Sequence, residues 1–260
     1  MLKRSERGWR IVATALAFSA FGLGGVVLGL IFFPLLHLFI RRSAQKTRIA
    51  RLTIHYSFRF FIELMRVLGI LRYHIKGIEK LHRPGLLILA NHPTLIDVVF
   101  LISLVKNADC VVKAGLAQNP FTRGPIRGTA YIRNNSGSQL IDDCIASVHA
   151  GNNLIIFPEG TRTATDGTMK LQRGAANIAL RGQCNITPVT IRCQPLSLTK
   201  GLPWWKVPAS RMIFTLEVGD DIAVTPFLEQ AAGETALAAR QLTRYLHHYF
   251  LPENTAHAGA

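Results

Sequence analysis

The sequence predicts an α/β domain, a mostly parallel sheet flanked by helices, preceded by an N-terminal membrane-anchoring helical segment. Three observations predict it. Residues 11–40 contain no Asp, Glu, Lys or Arg. From residue 73 onward, short apolar runs alternate with longer mixed stretches, the pattern of strands and helices around a parallel sheet. Two of those runs end directly in clusters of polar residues, as ligand-binding strand ends do in such domains.

The uncharged N-terminal segment is a retained anchor. At about 1.5 Å per residue a continuous helix over it runs about 45 Å, beyond the roughly 30 Å hydrocarbon core and too long for a signal peptide's apolar core. Gly22, Gly24, Gly25 and Pro34 interrupt a regular helix. Lys3, Arg4, Arg7 and Arg10 precede the segment, and Arg41, Arg42, Lys46, Arg48 and Arg51 follow it. A single span strands one basic cluster on the wrong side of the membrane, whereas a bent, re-entrant segment keeps both cytoplasmic. Both arrangements stay open at this level.

Residues 47–71 predict an amphipathic helix. Arg51, His55, Arg59, Glu63 and Arg66 form one polar stripe, and Phe58, Phe60, Phe61, Ile62, Leu64, Met65, Leu68 and Leu71 cover the rest. The narrow basic stripe, next to the anchor, suits a membrane surface. An ordinary helix packed on the domain is the alternative.

Strands are expected at 73–76, 86–90, 110–112, 130–133, 154–157, 186–191 and 212–218, and helices at 95–104, 139–150, 175–181 and 235–250. Residues 195–208, with Gly201, Pro203 and the Trp204-Trp205 pair, read as a loop. The expected organisation is an anchor and basic helix over 1–71, the α/β domain over 72–250 and a flexible tail over 251–260.

Charge and cysteines narrow the function. The 260 residues carry a net charge of +15, at 49% hydrophobic content. Residues 1–83 hold 15 Lys or Arg against Glu6, Glu63 and Glu79, so most of the excess lies beside apolar sequence. That layout points to membrane lipids and away from nucleic acid. Cys110, Cys144, Cys184 and Cys193 form no C-x-x-C pair and read as buried thiols in a reducing compartment, with no metal site.

The chemistry lies in Asn91-His92-Pro93-Thr94-Leu95-Ile96-Asp97 and Phe157-Pro158-Glu159-Gly160-Thr161-Arg162. Pro93 biases His92 to an extended conformation and suits the first turn of the following helix. On one regular helix His92 and Asp97 stand about 140° apart. With His92 in the loop and Asp97 in the first helical turn they meet. Asp97 then orients the imidazole, and the second ring nitrogen serves as a base toward a substrate hydroxyl. Arg162 has the fork geometry for phosphate. Glu159 accepts a substrate hydroxyl or holds Arg162.

The two segments resemble the signature motifs of the glycerolipid acyltransferase family, N-H-x4-D and F-P-E-G-T-R, in order and separation. The resemblance covers residues 77–218. It implies the family's fold and acyl transfer to 1-acylglycerol-3-phosphate or a related lysophospholipid. His92 is then the general base and Asp97 its partner, while Glu159, Gly160, Thr161 and Arg162 bind the phosphorylated acceptor. The co-substrate is an acyl thioester of coenzyme A or acyl carrier protein, with no further cofactor. Gly128-Thr129-Ala130-Tyr131-Ile132-Arg133 is similar to the family's G-x-x-F-x-x-R block, with Tyr for Phe and Arg one position early. Ile186-Thr187-Pro188-Val189 is similar to its V-P-V block, and Lys113 stands where the family often has a basic residue. The implied location is a bacterial inner membrane, with the domain on the cytoplasmic face. The displaced Arg133 keeps an amino-acid-lipid acceptor open, and a non-catalytic lipid-binding protein is the reading from a different class.

Overall fold

The structure, a computed structural model, describes residues 2–118, 123–135, 137, 139–164 and 166–251, and the side chains of 2–5 and 117 fall outside it. The side chains of Lys3 and Arg4 and tail residues 252–260 thus lie outside the described residues.

α1 (Leu2–Val27), a π-helical turn (Leu28–Phe32) and α2 (Phe33–Phe39) form one helical rod. The wider turn lies where Pro34 removes an amide and crowds the carbonyl four residues before it. Within the described residues Glu6–Phe39 is long and apolar enough to cross a membrane. The chain reverses at residues 40–42, and α3 (Ser43–Val67) runs back along the rod. Phe21 meets Phe61 at a ring separation of 4.7 Å and Phe58 at 5.7 Å, and the Trp9 indole donates to Leu68 O at 2.9 Å. α3 ends earlier than expected because Gly69 turns the backbone at φ +77°, leaving Leu71 to open the first strand.

The domain continues through β1 (Leu71–Lys76), β2 (Leu87–Ala90), α4 (Asp97–Leu104), β3 (Ala108–Val112), α5 (Arg123–Thr129) and β4 (Ile132–Arg133). It closes with α6 (Gln139–His149), β5 (Asn153–Ile156), α7 (Gly174–Arg181), β6 (Ile186–Gln194), β7 (Met212–Val218), α8 (Thr225–Gln230) and α9 (Thr235–Phe250). The strands form one sheet in the order β1-β7-β6-β2-β5-β3-β4, parallel except at the β6–β7 pair. Leu87 and Leu89 pack with the layer of α6, α7 and α9, and Ile88 and Ala90 with the layer of α1–α4. A strand covered on both faces needs a continuous apolar run, which is what β2 carries.

Two expectations change. Residues 130 and 131 are not strand, and a helix precedes them: α5 exists because it packs against the rod, where Gly128 lies under the Phe33 ring and Gly124 against Gly29. A Cβ on Gly124 would come within 2.4 Å of Gly29 Cα. Gly124→Ala is therefore expected to pry the rod from the domain and lower the unfolding temperature in detergent, while Gly115→Ala, with nothing within 4 Å, does not.

The polar stripe of α3 also reads differently. Its first two members face the domain. Arg51 and His55 are buried, and Arg51 Nη2 lies 2.7 Å from Asp109 Oδ2. Arg51 Nε donates to Thr129 O at 3.1 Å, and Ser147 donates to the same Asp109 oxygen at 2.6 Å. The outward side of α3 instead exposes Tyr56, Phe60 and Val67, next to Arg59 and Arg66. Trp9, Val12, Leu16, Leu23, Val27, Leu30 and Leu38 are exposed along the rod at helical spacing.

Candidate active site

β2, β5, β3 and β4 run in the same direction. Their carboxyl ends therefore bring His92, the segment from Phe157 to Arg162, Lys113 and Arg133 to one edge of the sheet. His92 and Phe157 follow neighbouring strands, and their rings stack at 4.2 Å. Lys113 and Arg133 lie one and two strands further out and are exposed.

His92 leaves β2 in an extended segment, and α4 begins at Asp97 rather than earlier. Pro93 is thus outside the helix. The reason is local: Asp97 takes up the turn before it, accepting from the Thr94 amide at 2.6 Å and from the Thr94 hydroxyl. The Thr94-x-x-Asp97 spacing carried that signal in the sequence. Asp97 Oδ2 stands 2.9 Å from His92 Nδ1. With Asp97 ionised, Nδ1 holds the ring proton and Nε2 is the free base. The His92 side chain is 17% exposed and that of Asp97 is fully buried, so the base opens to solvent and its partner does not. Burial pushes the Asp97 carboxyl up, and the donors from His92 and Thr94 pull against that shift.

Glu159 joins the two motifs. Its Oε1 accepts from the His92 backbone amide at 2.8 Å and from the Thr163 hydroxyl at 2.9 Å, while the Thr163 amide donates to His92 O at 2.8 Å. Glu159 therefore holds the histidine loop, and Arg162 has other partners. Gly160, at φ +66°, makes the tight turn that lets the segment double back, with its amide on Phe157 O at 2.9 Å. Thr161 is half-buried in the same turn. Arg162 Nη1 donates to Leu198 O at 3.1 Å and Thr199 O at 2.9 Å. Leu198 O also accepts the Leu95 amide at 2.9 Å, so Arg162 sits against the His92–Asp97 turn. Leu198 holds a left-handed backbone, φ +56°, a strained geometry for a branched residue. Nothing in the sequence marks these two carbonyls. Asn91 ties the loop from the other side, donating to Ile191 O at 2.8 Å and accepting the Ile191 amide at 2.7 Å.

Burial also raises the Glu159 carboxyl. Ionising it costs folding stability, so its contribution is full at low pH and lost as pH rises through the elevated folded-state value. Glu159→Gln keeps an acceptor oxygen and is expected to flatten the fall in stability at pH values above the ordinary carboxyl value of about 4.3. Glu159→Ala orphans the His92 amide and is expected to cost ~1–3 kcal/mol. Unfolding midpoints in detergent across that range distinguish the two. All four cysteines are free and buried, and burial raises the Cys110, Cys144 and Cys193 thiols to about 12.

A base–acid pair and a guanidinium thus stand at one edge of a sheet covered on both faces. Residues 72–192 match the family model described as Acyltransferase. The chain is similar in sequence to named acyltransferases. It is 27% identical over 140 residues to a 1-acyl-sn-glycerol-3-phosphate acyltransferase of Pseudomonas aeruginosa, covering 50% of this chain and 53% of that protein. It is 30% identical over 132 residues to a lyso-ornithine lipid O-acyltransferase of the same organism, covering 49% and 51%. The chain thus spans about half the length of both relatives. Its fold matches the crystal structure of the 1-acyl-sn-glycerophosphate (LPA) acyltransferase PlsC from Thermotoga maritima, with a TM-score of 0.70 at 17% identity over 96% of this chain and 98% of that one.

Proposed function

We propose that the protein is a membrane-surface O-acyltransferase that moves an acyl chain from a thioester of coenzyme A or acyl carrier protein to the free hydroxyl of 1-acylglycerol-3-phosphate or a related lysophospholipid. The His92–Asp97 pair, set beside Arg162 at one sheet edge, carries this reading. His92 Nε2 takes the proton of the acceptor hydroxyl, and the oxygen attacks the thioester carbonyl. The tetrahedral oxyanion collapses, the C–S bond breaks, and the departing thiolate recovers the proton from His92. Asp97 stabilises the imidazolium while it exists. The N–H groups of Arg162 other than Nη1 recognise the anionic head.

The rod supports attachment along the membrane surface rather than across it. Arg10 donates to Ala209 O, Phe18 stacks on Trp204 at 5.4 Å, and Phe33 covers Gly128. From residue 10 to residue 33 the rod extends about 35 Å, more than the roughly 30 Å of the hydrocarbon core. A spanning orientation would carry the attached domain into lipid. Lying flat, the rod turns its exposed apolar stripe toward one leaflet and keeps both basic flanks on the same side. That side is assigned to the cytoplasmic face of a bacterial inner membrane, in keeping with the basic flanks and the reduced thiols. Leu23→Glu with Leu30→Glu is expected to release the protein from vesicles in flotation. Unchanged flotation counts against this orientation.

An amino-acid-lipid acceptor is the second reading, favoured by the similarity to a lyso-ornithine lipid O-acyltransferase and by the early position of Arg133. Purified protein offered labelled acyl-coenzyme A and acyl carrier protein with each acceptor decides. Turnover of lysophosphatidate supports the first reading, and turnover of the lyso-amino-acid lipid alone supports the second. No turnover with either overturns both.

A further inference from the structure

A cavity of about 610 Å³ lies at the opposite edge of the sheet from His92. Asn107 and Asn153 in its wall stand at the amino ends of β3 and β5, and Arg83 precedes β2. The size is that of a site for a drug-sized molecule. Its wall has two characters. Ile62, Ile75, Leu81 and Phe100 give an apolar side. Arg59, His82, Arg83 and Lys106 give a rim of basic groups, all on exposed residues. The acid in the wall, Glu63, is already engaged by Arg66 Nε at 2.7 Å and by the Tyr73 hydroxyl. Arg83 is paired with Asp221 at 2.6 Å. The charge left facing the opening is positive.

His55 supplies the second observation. It belongs to the wall, yet the residue is only 2% exposed. Its Nδ1 donates to Ile102 O at 2.8 Å, and its Nε2 is buried with no hydrogen-bond partner. An unpaired buried polar atom costs stability, and leucine would fill the space without that cost. Among the described residues Nε2 has no partner.

We propose that this cavity binds an anionic amphiphile, a phosphate head on an alkyl chain, at a site separate from the acyl-transfer site. The phosphate is held by Arg59 and Lys106 at the rim, while the chain lies along Ile62, Ile75 and Phe100, beside the His55 residue. Arg59 lies on α3 between exposed Tyr56 and Phe60, so the opening adjoins the apolar surface of that helix.

The titration that tests this reads binding, not turnover, and its result is independent of the acyl-transfer reading. Full-length protein labelled with ¹⁵N-histidine in a neutral maltoside detergent is titrated with dodecyl phosphate. The His55 ring resonances, assigned with His55→Gln, are expected to move to saturation. Inorganic phosphate at the same concentration leaves them in place. Arg59→Glu with Lys106→Glu, both at exposed positions, weakens the apparent affinity about tenfold or more, and His92→Ala leaves it as it was. Immobile His55 signals, an equal response to inorganic phosphate, an unchanged affinity in the double variant, or loss of the response in His92→Ala each overturns the proposal.

Discussion

His92→Ala is expected to lower acyl transfer by about 10²- to 10⁴-fold, the usual share of a positioned general base, while the unfolding midpoint and vesicle attachment stay near those of the parent protein. The side chain is partly open to solvent, and its ring contact is the Phe157 stack. Its removal leaves no large cavity. It does leave Asp97 without the Nδ1 donor, but Thr94 still supplies an amide and a hydroxyl. Asp97→Asn is expected to lose nearly as much activity for a different reason. The amide can present its NH₂ to Nδ1, which drives the ring proton to Nε2, where the base is needed. The measurement is initial rate against acceptor concentration in detergent. A His92→Ala protein with near-parental turnover removes the base from the mechanism.

Asp109→Ala is expected to act on stability instead. Asp109 Oδ2 is shared by Arg51 and Ser147, its Oδ1 accepts the Cys110 amide at 2.8 Å, and both side chains of the ion pair are about 95% buried. Removing the carboxylate strands the Arg51 guanidinium inside the domain, a loss of ~3–5 kcal/mol. For a chain of this size that is roughly 6–20 °C in unfolding temperature. Arg51→Met combined with Asp109→Leu is expected to recover most of the loss, since an apolar pair of similar volume removes both desolvation costs. Asp109 lies near the amino end of β3, away from His92. Activity per folded molecule should therefore hold in both variants. Thermal unfolding in detergent, paired with rates below the transition, separates this effect from that of His92→Ala. An Asp109→Ala protein as stable as its parent would show that the pair contributes nothing.

Much was legible in the sequence where the pattern is local. β7 and α9 fall at their expected residues because period-two alternation and an uninterrupted apolar helical face need no distant partner. The His92–Asp97 contact was legible for the same reason: a proline between a strand and a helix start confines five residues to few conformations. α5 was not legible. Its sequence, with two glycines and a proline, has poor helix propensity, and it forms where the rod packs against it. Which way the polar face of α3 turns stayed open because an arginine stripe looks alike whether it meets water, lipid or a buried aspartate. Only the position of Asp109, 58 residues further along, decides which.

The sequence by itself determined the α/β class, the apolar N-terminal segment, and the two short motifs with their residue types, since each rests on contacts within a few positions. The tertiary structure decided what those residues touch: Glu159 on the His92 loop 67 residues away, Arg162 on carbonyls 36 and 37 residues away, and the rod laid along the domain. Such pairings follow from strand order and helix packing. No local spacing encodes them, because a backbone carbonyl accepts a hydrogen bond whatever side chain it carries.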